Sequence, residues 1–131
     1  MRFLVTGGCG FIGKYFIKLL LKYGHHVTNI DKLTYASDLD SVIEFSKQEN
    51  YVGVYKDICD LNTLHIVDWI IHFAAESHVD NSIDGSEKFI LSNVFGTQHL
   101  LELIRNKPIY DRPKLLYVST DEVYGDRSRG F

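Results

Sequence analysis

The sequence predicts an α/β protein built on a doubly wound parallel sheet of about five strands in the order 3-2-1-4-5. Two observations carry that prediction. Short apolar runs alternate along the chain with segments of helical periodicity, and the first run ends in a cluster of glycines. Alternation of this kind imposes right-handed crossovers and covers both sheet faces. The 131 residues fit one domain, and neither an internal repeat nor a linker divides them.

The strands are read from Arg2 to Thr6, Val27 to Ile30, Tyr51 to Tyr55, Trp69 to Phe73 and Leu115 to Val118. Each is short and rich in Val, Ile, Leu or Tyr, as buried parallel strands are. Phe11, Ile12, Tyr15, Phe16, Leu19 and Leu20 repeat at helical spacing before Gly24, a helix stop. Leu39, Val42, Ile43 and Phe45 outline a second helix after Ser37-Asp38. A longer helix runs from about Ser86 to Arg105, its apolar side given by Phe89, Ile90, Val94, Leu100, Leu101 and Ile104. The connection from Asp57 to Trp69 is near the lower limit for a crossover with a helix inside. It leaves room for a single turn around Asn62 to Ile66.

Composition narrows the function. A 45% hydrophobic and 24% charged chain is ordinary globular material, which excludes disorder and low complexity. A net charge of −3 argues against a nucleic-acid partner gripped by a basic face. No run of about 18 apolar residues offers a membrane span. The first apolar run ends in glycines, unlike a signal peptide. Cys9 and Cys59 form neither a disulfide framework nor a zinc spacing, so a reducing cytoplasm is expected.

The chemistry begins at Thr6-Gly7-Gly8-Cys9-Gly10-Phe11-Ile12-Gly13, where a strand gives way to a helix. Small residues let the backbone turn tightly and approach a pyrophosphate, while the helix start offers unpaired N–H groups and a positive dipole end. The next strand ends in Asp31, 18 residues after Gly13. A carboxylate there can accept both ribose hydroxyls and repels a 2′-phosphate, so a Rossmann-type fold binding NAD rather than NADP is expected. Lys32 beside it softens that preference without reversing it.

The spacing Gly7-x-x-Gly10-x-x-Gly13 resembles the extended short-chain dehydrogenase/reductase superfamily. Four stretches narrow the resemblance to the dTDP-glucose 4,6-dehydratases: 31–36 (DKLTYA), 57–60 (DICD), 72–80 (HFAAESHVD) and 119–125 (STDEVYG). Asn93-Val94-Phe95-Gly96-Thr97 resembles the same family. The resemblance implies NAD as cofactor and a nucleotide sugar as substrate. Gly7, Gly10, Phe11, Ile12 and Gly13 would meet the pyrophosphate, and Asp31, Lys32 and Thr34 the adenosine ribose. Asp57 and Ile58 would hold the adenine edge, and Ala74, Ala75 and Glu76 the nicotinamide-ribose side. Ser77, His78 and Asp80 would face the sugar. Thr120 matches the hydroxyl member of the Ser/Thr-Tyr-Lys set, and Asp121 and Glu122 match the acid and base of water elimination.

In the family, C4 of the glucose unit is oxidised, water leaves across C5 and C6, and the hydride returns to C6. Two carboxyl groups in different surroundings can divide the acid and base roles. The family's Tyr-x-x-x-Lys helix is expected beyond Phe131, so the fold is incomplete relative to the family and the 131 residues alone are expected to be inactive. The literal match Tyr110…Lys114 is broken by Pro113 and is read as chance. A non-catalytic NAD-binding module and a related sugar-nucleotide epimerase or reductase are the alternatives; Asp121-Glu122 speaks against the latter. A homodimer is expected for the complete form. Of the remaining residues, His25-His26 reads as a solvated turn, His72 as a packed strand histidine, and Cys9 as a small filler whose helix-start position could lower its thiol pKa.

Overall fold

The computed structural model describes residues 1–78 and 85–125. Five strands, β1 (Arg2–Thr6), β2 (His26–Ile30), β3 (Tyr51–Val54), β4 (Trp69–His72) and β5 (Lys114–Tyr117), form one parallel sheet. Their order is β3-β2-β1-β4-β5, as the sequence predicts. Apolar residues alternate along β1, so the sheet has two cores. Phe3 and Val5 join Ile17, Leu20, Val27, Phe45, Tyr51 and Ile71 on one face. Leu4 joins Ile30, Ile58, Leu61, Leu64, Val67, Ile70 and Leu100 on the other.

Helix α1 (Phe11–Lys22) buries Gly13, Ile17 and Leu20. Of the predicted stripe, Leu20 is buried and Phe16 packs on the core, but Phe11, Ile12, Tyr15 and Leu19 are exposed. A single position decides the rotation. A Cβ on Gly13 would sit 2.7 Å from the Gly8 Cα, so the helix meets the turn through Gly13 and everything at its i+4 and i+7 positions faces the sheet. Gly24 ends the helix as predicted: at φ +72° its N–H reaches the Leu21 carbonyl, and the His25 N–H reaches that of Leu20. This pair of bonds is a Schellman closure. Helix α2 (Leu39–Phe45) is capped by the Asp38 carboxylate, which accepts the Ser41 N–H and pairs with Lys14. Phe45 is its buried residue, while Leu39 and Ile43 of the predicted apolar face are exposed.

The β3–β4 connection departs from expectation. Its helical turn lies at Ile58–Asp60, where the Asp57 side chain accepts the Cys59 N–H, and the predicted turn at Asn62 to Ile66 is absent. The connection must cross from one sheet edge over β2 and β1, roughly 14 Å at about 4.8 Å per strand, while also returning the length of a strand. Irregular chain covers that diagonal with fewer residues than a helix rising about 1.5 Å per residue. Leu61, Leu64 and Val67 turn inward at every third position and fill the core in place of a helix.

The long helix is continuous in sequence but not in kind. α3 (Ser86–Phe89) passes into a π-helical stretch, Ile90–Gly96, and then into α4 (Thr97–Arg105). The wider turn rotates the inward side to Ser92, Gly96 and Leu100, whose small members allow close approach to the sheet. Of the predicted apolar side, Leu100 is buried and Ile104 packs on the core, but Ile90, Val94 and Leu101 are exposed. Among the described residues no helix is long and apolar enough to cross a membrane.

Among the described residues strand β5 pairs with β4 alone, and Leu116 and Tyr117 stand exposed beside that open edge. Unpaired edges and apolar patches recruit other chains. The 131-residue polypeptide on its own is therefore predicted to self-associate. Sedimentation over a range of concentrations checks this, and a cooperatively folding monomer throughout would refute it.

Candidate functional site

The glycine turn is fixed by contacts that only glycine permits. Gly7 lies at φ +69°, and a Cβ there would stand 2.7 Å from the Ala74 backbone nitrogen. A Cβ on Gly8 would run into the Asn29 amide and Ile17. Gly10 is different: its nearest neighbour would be the Gly7 carbonyl oxygen at 3.3 Å, and the rest of its surroundings are open cleft. Three glycines thus serve packing, and one keeps a surface clear.

Two side chains at the end of β2 hold this turn. Asn29, fully buried, accepts the Gly8 N–H (3.1 Å) and donates to the Cys9 sulfur (3.2 Å) and the Tyr51 hydroxyl (3.0 Å). Asp31 accepts the Cys9 N–H (2.8 Å), the Leu33 N–H (2.9 Å) and the Ser37 hydroxyl (3.2 Å). Leu33 adopts φ +54° to make its bond, a left-handed conformation that costs a branched side chain about 1 kcal/mol. Sequence reasoning missed Asn29, although an amide inside the apolar run Val27 to Ile30 is a signal that a buried partner exists. Burial, followed by the Asp31 charge, pushes the Cys9 thiol up to about 12. The expectation of a lowered value from the helix start is therefore overturned.

These elements border a cleft of about 860 Å³ at the C-terminal ends of the strands. Every predicted cofactor residue, from Gly7, Gly10, Phe11, Ile12 and Gly13 through Asp31, Lys32, Thr34, Asp57 and Ile58 to Ala74, Ala75 and Glu76, lies on its wall. So do Ser77, His78, Thr120 and Glu122. Phe11 and Ile12, apolar yet turned away from the core, are accounted for by this lining. Asp80 lies outside the described residues. Asp121 is on the turn Asp121–Tyr124 but does not line the cleft; its carboxylate accepts the Thr120 hydroxyl at 3.4 Å. Asp57 is held below the usual carboxylate range: burial acts to raise it, and the Cys59 N–H and the Lys32 ammonium outweigh that.

The first turn of α1 carries no acidic residue and no side-chain cap, and its residues Phe11, Ile12 and Gly13 line the cleft. On the opposite wall, Asn93 of the π-helical stretch clamps Glu76, accepting its N–H at 2.8 Å and donating to its carbonyl at 2.9 Å. His72 sits behind this wall. The Ala74 N–H donates to the Thr6 hydroxyl, which is hydrogen-bonded to His72 Nδ1 at 2.6 Å, and Nε2 is hydrogen-bonded to the Thr97 hydroxyl at 3.0 Å. Tyr117 stacks on the ring. The packed histidine predicted from sequence is thus also the link between β1, β4 and α4. The Tyr110…Lys114 match is split between a 3-10 turn (Ile109–Asp111) and β5, so no helical face joins it.

Sheet order, glycine turn and cleft together define a Rossmann-type chain. It belongs to the GDP-mannose 4,6 dehydratase family, whose model matches residues 4–130. The dTDP-glucose 4,6-dehydratase of Shigella flexneri is 43% identical over 139 residues, an alignment covering 96% of this chain and 38% of that protein. The dTDP-glucose 4,6-dehydratase DesIV of Streptomyces venezuelae, solved with NAD bound, superposes with a TM-score of 0.85 at 41% identity, covering 96% of this chain and 41% of that one. A UDP-glucose-4-epimerase of Stenotrophomonas maltophilia, also with NAD, gives 0.81 at 31% identity over 98% of this chain and 39% of that one. The chain thus spans about two-fifths of the length of these relatives.

Burial lowers the His72 pKa to about 4, below the roughly 6.5 of a solvated imidazole. The unfolded chain takes up a proton between those values that the folded chain refuses. Stability is complete above pH 6.5 and falls by about 3 kcal/mol as pH drops to 4. Urea unfolding at pH 7 and pH 4.5 measures this: the gap between wild type and His72→Gln should narrow in acid.

Proposed function

We propose that this chain supplies the NAD-binding part of a dTDP-glucose 4,6-dehydratase, a lyase that converts a nucleotide-linked glucose to a 4-keto-6-deoxy sugar. The observation that carries the reading is the uncapped, carboxylate-free start of α1 opening on one cleft with Thr120 and Glu122. An anion is favoured at such a helix start, and Gly10 leaves room for it. Phe11, Ile12 and Gly13 offer N–H groups to the pyrophosphate, Asp31 and Thr34 the ribose contacts, and Asp57 and Ile58 the adenine edge. Ala74, Ala75 and Glu76 border the nicotinamide ribose.

NAD held there would supply the hydride acceptor for C4 and the hydride donor for C6. The C4 hydroxyl proton would pass to the tyrosine of the family's Tyr-x-x-x-Lys pair, and Glu122 would return its proton to C5 as C6 is reduced. Thr120 donates a hydrogen bond to the C4 oxygen. Glu122, on the cleft wall, takes the C5 proton made acidic by the new ketone. Asp121 protonates the departing C6 hydroxyl, a role that requires it to release Thr120 and turn inward. Ser77, His78 and Asp80 orient the sugar. The family names of the relatives and the NAD bound in two of them support this assignment over a non-catalytic module. The exposed Ile90, Leu91, Val94, Phe95 and Leu101 of the long helix suit a homodimer of the complete enzyme. The two free cysteines suit a reducing cytoplasm, and the net charge of −3 offers nucleic acid no basic face.

Calorimetric titration with NAD tests the cofactor reading. Gly10→Val should weaken binding by at least about tenfold with little loss of thermal stability, because it fills the cleft rather than the core. Gly13→Val should lower the melting temperature as well. Absence of NAD binding by the folded wild type would refute the reading.

The 131 residues are further predicted to show no dehydratase turnover, since they hold no Tyr-x-x-x-Lys pair on one helix face. Formation of a 4-keto-6-deoxy sugar by the purified polypeptide, above contamination, would overturn this.

A further inference from the structure

Lys32 follows directly on Asp31 and stands where a cation could welcome a 2′-phosphate, so it ought to compromise a preference for NAD. The structure shows what becomes of its charge. Its ammonium lies 3.4 Å from the Asp57 carboxylate and 3.6 Å from that of Glu76. The three residues follow the ends of β2, β3 and β4, so the cluster spans the mouth of the cleft.

The Asp57 carboxylate and the Glu76 backbone are held independently of Lys32. Asp57 accepts the Cys59 N–H at 3.0 Å, and the Glu76 backbone is clamped by Asn93. Lys32 is therefore drawn to one carboxylate held by the Cys59 turn and to a second carried on a clamped backbone. Lys56, the other lysine on the cleft wall, donates instead to the Asp60 carbonyl at 3.2 Å.

We infer that Asp57 and Glu76 are coenzyme-specificity residues: by engaging Lys32 they withhold its charge from a 2′-phosphate and make NADP a poor ligand. With Asp31 added, a 2′-phosphate meets three carboxylates and one occupied ammonium. This rests on the dinucleotide reading of the cleft and adds to it the residues that set the choice between the two nucleotides.

The test titrates NAD and NADP into the 131-residue chain as wild type, Asp57→Asn, Glu76→Gln, the double variant, and the double variant carrying Lys32→Met. Wild type should favour NAD. The double variant should move the ratio of the two dissociation constants toward NADP by about tenfold, each single variant by less, and Lys32→Met should take that gain away. Both amides keep the shape of the carboxylates, and the amide at position 57 keeps one oxygen for the Cys59 N–H; Asp57→Ser, which also retains an oxygen for that turn, replaces Asp57→Asn if that variant melts early. An unchanged ratio in variants that still bind NAD overturns the inference. A gain that survives Lys32→Met overturns it too. A folded wild type that binds neither nucleotide removes the dinucleotide reading and this inference with it.

Discussion

The structure depends on the close approach of three backbone segments: the glycine turn, the chain after β4, and the start of α1. Gly7 lies against Ala74, and Gly13 lies against Gly8, at separations that a methyl group would abolish. That approach fixes which side of α1 faces the sheet. It also brings the ends of β1 and β4 level, so that the helix start and the Ala74–Glu76 wall face one space. The alternative to glycine here is a shifted helix, and a shifted helix would leave Ile17 and Leu20 outside the core.

Buried polar groups then secure what the glycines permit. Asn29 and Asp31 bind the turn from β2, while Thr6, His72 and Thr97 join β1, β4 and α4 behind the opposite wall. Among the described residues, every buried side-chain nitrogen and oxygen has a hydrogen-bond partner. Each such bond adds only about 1 kcal/mol, but an orphaned partner costs more, so the networks act chiefly by excluding other arrangements. Burial keeps His72 neutral at pH 7, so one ring nitrogen donates and the other accepts between Thr6 and Thr97.

The strands and their order were legible in the sequence because each apolar run is bounded by turn residues and because parallel crossovers have one hand. The lining of the cleft was legible too, since Gly7, Gly10, Gly13, Asp31 and Ala74 to Glu76 fall at strand ends. Helix faces were not. Phe11, Ile12 and Tyr15 look like core by periodicity, and two of them belong to the cleft lining; the side that packs was set by a glycine, which periodicity ignores. The π-helical stretch adds a residue per turn for tertiary reasons, and so Ile90 and Val94 were misplaced. Asn29 reads as a flaw in an apolar strand until its three partners are known. Asp121 was placed at the cleft with Glu122, yet a 3-10 turn sets consecutive side chains about 120° apart and only one of them reaches the wall.

The irregular crossover of Leu61, Leu64 and Val67 gives the fold one place of evolutionary latitude. Lengthening a surface connection raises the closure cost only slowly, by about 0.6 kcal/mol per doubling. The groove of about 230 Å³ between this segment and β2–β3 lies on the sheet side held by the second core. A descendant chain could acquire a helix there by insertion, covering Thr28 and Val54 more fully, while the glycine turn kept its register. Fold completeness on that face and chemistry at the strand ends can thus diverge independently.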